Sequence, residues 1–218
     1  MKFSGMMCAG ILYFACAAHA GNLPRTLFEI GGAKQEAAKL SNSVLVIIDE
    51  QREYVDGALP LAGVEAAIKE TAQLLARARK SGTPVIHIVH KGGGVLFNPD
   101  GKYFAIVAPV HPQAGEPVIE KMRISAFAGT NLEEVLRSTG RKHLLLSGFM
   151  THNCVSSTAR AAFDLGYAVT IVANTTATRD LPDGRGGMIP AAELQAASLA
   201  ALGDRTAVVV QGGDEVPD

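Results

Sequence analysis

Short unbroken apolar runs alternate with longer amphipathic stretches along most of this chain. In SVLVIIDEQ, Val44 to Ile48 form a mostly β-branched run stopped by Asp49, the pattern of a strand buried on both faces, as in parallel sheets. A loop with Gly57 and Pro60 leads into AGVEAAIKETAQLLARARKSG, where Ala67, Thr71, Leu74, Leu75 and Ala78 keep one apolar face and Gly82 closes the predicted helix. PVIHIVH, Pro84 to His90, reads as a second strand, and strand, helix, strand in this order is a right-handed parallel crossover. Val118 and Ile119 predict a short strand with Lys121 at its carboxyl end. A helix is expected from near Thr130, whose side chain can cap it with Glu133 at the reciprocal position. KHLLLSG (Lys142 to Gly148) is a further apolar run, and Val155, Thr158, Ala159 and Ala162 show helical spacing after it. Ala168 to Asn174 predicts a strand, Ala191 to Gly203 a last helix and Thr206 to Val210 a last strand. About six strands alternating with helices predict an α/β fold, a doubly wound, mostly parallel sheet with helices on both faces.

One segment breaks the pattern. Lys91 to Pro117 is glycine-rich and poorly periodic, the character of a functional lid or an interface loop. Gly92 to Gly94 are not a phosphate cradle, because no helix begins directly after them and no Gly-Lys-Ser/Thr follows. They are read as a flexible loop.

With 218 residues and 48% hydrophobic content, the chain is long enough to bury a full core. A formal charge of -1 without a Lys/Arg cluster argues against a nucleic-acid partner. The opening MKFSGMMCAGILYFACAAHA has Lys2, an apolar run from Met6 to Ala18, and small residues at Ala18 and Ala20. This predicts a signal peptide over 1–20 cleaved before Gly21, an exported protein with no membrane association after cleavage, and one domain over 21–218. An uncleaved anchor is the alternative. Cleavage removes Cys8 and Cys16 and leaves Cys154 as the only cysteine of the mature chain. A leftover thiol in an exported protein is a candidate reactive group or an intermolecular partner.

Cys154 is expected where a buried strand turns into a helix, near unpaired N–H groups and the positive end of the macrodipole, which favour thiolate. The bland alternative is a small buried hydrophobe. Asp49, Lys121 and Cys154 all fall at carboxyl ends of predicted strands, the rim where open α/β sheets bind ligands. Asp49 could take the thiol proton and return it to a leaving group, Lys121 could stabilise both anions, and the backbone N–H groups of Met150 and Cys154 could hold an oxyanion. Taken singly, a strand-end aspartate, a solvated lysine and a buried thiol are all common.

IIDEQREYVDGALPL, EKMRISAFAGTNLEEVL and GFMTHNCVSSTARAAFDLGYAVTIVANTTATRD together resemble the isochorismatase-like cysteine hydrolases, which include nicotinamidases, carbamoylases and isochorismatases. The resemblance runs from about Val44 to Val210, and G-x-x-T-x-x-C with its small-residue helix is the specific segment. It implies an Asp49, Lys121 and Cys154 triad, a cis peptide at Phe149 and Met150, a homo-oligomer, and a small-molecule substrate. Nicotinamidases hold a metal through an aspartate and two histidines downstream of the first strand. Here no histidine lies between Asp49 and His87, although Asp56 could offer a carboxylate. His87 and His90, three apart on a strand, point to opposite faces, so neither a metal nor any other cofactor is expected. His152 is a spectator or pocket-rim residue, and Gln51, Tyr54, Arg123 and Phe127 are candidate pocket walls. The expected reaction is hydrolysis of a small amide, lactam or related C–N bond through a thioester. Vinyl-ether cleavage of the isochorismatase type and a non-catalytic thiol-bearing binding or redox-sensing module are the alternatives.

Overall fold

The computed structural model describes residues 23–218. The leader expected over 1–20 lies outside the described residues. Six strands form one all-parallel sheet: β1 (Ser43–Ile48), β2 (Val85–His90), β3 (Val118–Lys121), β4 (His143–Phe149), β5 (Ala168–Ala177) and β8 (Val208–Val210). Their spatial order is β3-β2-β1-β4-β5-β8. The chain winds outward from β1 through β2 to β3, then returns to the middle for β4 and winds the other way. A short antiparallel pair, β6 (Leu181–Pro182) with β7 (Met188–Ile189), sits outside this sheet.

Both faces are covered, so alternate residues of each central strand enter different layers. Leu45 and Ile47 of β1 pack with Leu145, Phe149 and helix α2 (Val64–Lys80). Val44, Val46 and Ile48 pack with Leu144, Leu146 and helices α3 (Leu132–Ser138), α4 (Ser156–Asp164) and α5 (Ala191–Arg205). The predicted apolar face of α2 is the buried one, and Gly82 ends it in the left-handed region at φ +66°. A single helical turn, α1 (Leu27–Ile30), precedes the sheet and carries its own capping box between Thr26 and Glu29.

Two local expectations are corrected. The cap foreseen at Thr130 does not form: Thr130 Oγ1 donates back to the Ala126 carbonyl and accepts from Leu132 N at 3.2 Å, while Glu133 turns to Arg137. The helix therefore starts at Leu132 without a side-chain cap. β5 continues past Asn174 to Ala177 through a bulge, since Leu146 pairs with Ile171 but Gly148 with Thr176. Inside the bulge Thr175 and Thr176 hydroxyls donate to the carbonyls of Val172 and Ala173 at 2.7 and 2.8 Å, taking the place of ladder bonds. The segment after β2 is irregular but docked: Phe97, Val107 and Val110 are buried, and Arg52 N, Glu53 N and Val107 N bond across to Ala105, Tyr103 and Glu50 carbonyls at 2.9 Å.

Candidate active site

The strand order reverses between β1 and β4, and the crevice at such a switch point is where an open α/β sheet has room for a ligand. Asp49 directly follows β1 there, in the left-handed region at φ +52°. Cys154 follows β4 by way of Gly148, a cis peptide between Phe149 and Met150, and a π-helical turn, Thr151–Val155. Gly148 is required: at φ +112°, a Cβ would lie 2.0 Å from the Ile48 carbonyl oxygen. The Met150 carbonyl accepts from Asn153 N and Val155 N at 3.0 and 3.2 Å, which closes the turn under the cysteine. The bulge in β5 brings Ala177 and Thr178 alongside; Thr151 Oγ1 donates to the Ala177 carbonyl at 3.1 Å, and His152 Nδ1 bonds Thr178 Oγ1.

Lys121 comes from the edge of the sheet. Its strand partner is His90, the last residue of β2, and its side chain crosses the end of β2 to reach the crevice. Lys121 Nζ lies 2.7 Å from Asp49 Oδ2 and 3.2 Å from Cys154 Sγ, with His90 Nδ1 at 3.1 Å and the Arg123 carbonyl at 3.3 Å. The contact with Asp49 is a charge contact without aligned hydrogen-bond geometry, and Asp49 Oδ1 has no hydrogen-bond partner among the described residues. Asp49, Lys121 and Cys154 are 0%, 1% and 4% exposed. The three groups predicted from separate strand ends thus converge in one nearly dry place.

Burial sets their protonation. Desolvation pushes the Asp49 carboxyl up to about 6 against the opposing pull of Lys121. Desolvation and then the Asp49 charge push the Cys154 thiol up to about 12, which Lys121 only partly offsets. The helix end that favours thiolate is opposed here: Cys154 lies within the π-helical turn, two residues before α4, and burial pushes its thiol up. Burial thus favours the neutral thiol beside the Asp49–Lys121 ion pair. His90 is held down to about 4 by burial and by Lys121, so its neutral Nδ1 accepts from the ammonium.

The candidate walls fall in different places. Gln51 is fully buried, its amide accepting from His90 N at 2.8 Å and donating to the carbonyls of His90 and Phe104. Tyr54 is buried edge-on against Phe97 and Phe149, close enough to Asp49 and Cys154 that both charges, after burial, raise its phenol. The Arg123 side chain is exposed, and Phe127 is half-buried 6.2 Å from the Tyr167 ring. His87 bonds Glu116 at 3.0 Å and Asp56 pairs with Arg52, so neither shares a partner with His90. The sequence reading missed His90 as a contact of Lys121 and Arg179, whose charge acts on both Tyr54 and His152. The strand register next to Lys121 could have flagged His90; nothing local marks Arg179.

The Isochorismatase domain model matches residues 43–213. A secreted isochorismatase effector of Verticillium dahliae is 35% identical over 185 residues, 84% of this chain and 95% of its own. The ureidoacrylate amidohydrolase of Variovorax paradoxus is 28% identical over 177 residues, 64% of this chain and 70% of its own. Among solved structures, an isochorismatase from Pseudomonas putida superposes with a TM-score of 0.85 at 41% identity, covering 89% of this chain and all of that one. A family model spanning all six strands of the sheet, with a solved relative that superposes over 89% of the chain, places this chain in the isochorismatase family of hydrolases.

Proposed function

We propose that the protein is a cysteine-dependent hydrolase of a small amide, lactam or related C–N bond. The observation that carries this reading is the bridging ammonium, 2.7 Å from the Asp49 carboxylate and 3.2 Å from the Cys154 sulfur. Asp49 takes the thiol proton as Sγ forms a bond to the substrate carbonyl carbon, so a thiolate near 12 never has to stand alone. The tetrahedral oxyanion is held by the N–H groups of Met150 and Cys154. It collapses to a thioester as the C–N bond breaks and Asp49 passes the proton to the departing nitrogen. Water then attacks the thioester, with Asp49 as base, and the proton returns to sulfur as the acid product leaves. Lys121 stays charged throughout and offsets the negative charge on its two neighbours. Similarity to a relative described as an amidohydrolase supports a C–N bond as the target.

A second reading, cleavage of a vinyl ether with Asp49 as acid, is supported by the similarity to a relative described as an isochorismatase effector, and burial, which pushes the Asp49 carboxyl up, acts in the same direction. Intact-mass spectrometry after brief exposure to a library of small amides and nitriles separates the two. The amide reading expects a covalent adduct on Cys154 and no turnover by Cys154→Ala. Full turnover by that variant, with no adduct in the wild type, would leave only the second. Absence of both adduct and turnover across amides and vinyl ethers would point to a non-catalytic thiol protein.

The chain is further read as a single domain, exported, and assembled as a homo-oligomer. Similarity to a relative described as secreted supports export, and the exposed Val95, Met122 and Ile124 support assembly. A mature mass that begins at Gly21 checks export, and a monomer mass by light scattering would remove the oligomer.

A further inference from the structure

Glu50 stands beside Asp49 in sequence but outside the chemistry just described. It is 1% exposed, and its Oε2 has no hydrogen-bond partner among the described residues. Its Oε1 lies 3.1 Å from Ser147 Oγ, Ser147 Oγ lies 2.9 Å from Thr71 Oγ1, and Thr71 Oγ1 donates to the Ala67 carbonyl at 3.0 Å. These three contacts form one line from the end of β1, across β4, into α2. Each needs a proton between its heavy atoms, and the two hydroxyls carry only two. If Glu50 were ionised, one contact would be oxygen facing oxygen, and a charged carboxylate would keep one oxygen orphaned in the core.

We propose that Glu50 is a protonated carboxylic acid in the resting protein, and that it donates to Ser147 as the positioning residue tying the β1 end that bears Asp49 to the β4 end that leads to Cys154. Glu50 then gives its proton to Ser147, Ser147 to Thr71, and Thr71 to the Ala67 carbonyl, with each hydroxyl donating once and accepting once. The Thr175 carbonyl, 3.4 Å from Ser147 Oγ and 3.5 Å from Thr71 Oγ1, flanks the line without being required by it. The groups that face Glu50 from α2 and β4 are hydroxyls, and no cation opposes its charge. Of its acidic neighbours along the chain, Asp49 pairs with Lys121 and Glu53 accepts from Ala58 N and Phe97 N at 2.7 and 3.1 Å. Burial pushes the Glu50 carboxyl up to about 8, in the same direction as the proton count.

The positioning role rests on the proposed hydrolase reading, but the protonation state does not. Infrared spectroscopy of the full chain at pH 7 reads it directly. A carboxylic-acid carbonyl band is expected that Glu50→Gln removes and Ser147→Ala shifts, and that fades in wild type as pH rises through about 8. If Glu50→Gln does not fold, the Ser147→Ala shift and the wild-type titration decide. Absence of the band at pH 7, or a band indifferent to both variants, would overturn the proposal. Activity tests the positioning half: Glu50→Gln, whose amide still donates to Ser147, should keep turnover within about threefold and lose an alkaline decline near pH 8. A decline unchanged in Glu50→Gln would overturn that half while leaving the hydrolase reading intact.

Discussion

Two ion-pair clusters among the described residues, one half-buried around Glu116 and one fully buried around Asp49, are built in opposite ways. In one, Glu116 has both oxygens occupied: Oε1 takes Arg79 Nε at 2.8 Å, while Oε2 takes Arg79 Nη2 at 2.8 Å, Gln113 N at 2.9 Å and His87 Nε2 at 3.0 Å. Although burial acts to raise it, these partners hold the Glu116 carboxyl down to about 2. In the other, Asp49 meets one ammonium, keeps a bare oxygen, and is pushed up to about 6. A saturated carboxylate is inert and works as a clamp, here between α2, β2 and the loop before β3. An unsaturated one retains both its proton affinity and a free lone pair. That difference, added to the deeper burial of Asp49, separates a structural ion pair from a reactive one.

The contrast can be broken most sharply at Asp49. Asp49→Asn should lower kcat by about 10²–10⁴-fold, because an amide cannot carry the proton. In the wild type, the acid limb of kcat/KM should fall as pH drops through about 6, where Asp49 takes up a proton and ceases to be a base. An acid limb near 4 instead would mean that desolvation does not control this group. Next in size, Lys121→Met should destabilise the fold by about 3–5 kcal/mol in denaturant titrations, since it strands a buried carboxylate. Simultaneous Asp49→Asn should recover much of that loss, and no recovery would deny the pairing. Smallest is Glu116→Gln, expected to cost about 1–3 kcal/mol of stability with turnover unchanged. Because the folded carboxyl lies below its ordinary 4.5, the clamp is fully present above that pH and is lost as pH falls through about 2. A change in kcat for this variant would show the two clusters to be coupled.

Much of this organisation is legible in the sequence, because strand ends are marked by local pattern. Val44 to Ile48 stops at Asp49, and the run before Gly148 stops just ahead of Cys154, so a parallel sheet must bring both to one rim. Lys121 is legible for the same reason, although its reach across β2 is not. What escapes local reading depends on partners distant in sequence. The bulge in β5 reflects hydroxyls bonding their own backbone, and His90 looks like any residue of an alternating strand until Lys121 is laid beside it. Thr130 and Glu133 carry a capping signature that tertiary contacts override, through Ala126 and Arg137. Helix polarity, which favours thiolate at Cys154, is visible in sequence, whereas the burial that pushes the thiol up is not.

Gly148 and Ile48 are register partners whose main chains touch with no room for a side chain between them. The spacing of the segments that bear acid and sulfur is consequently fixed by polypeptide against polypeptide. The two flanking layers can trade one aliphatic residue for another over long divergence, and the reacting atoms keep their separation.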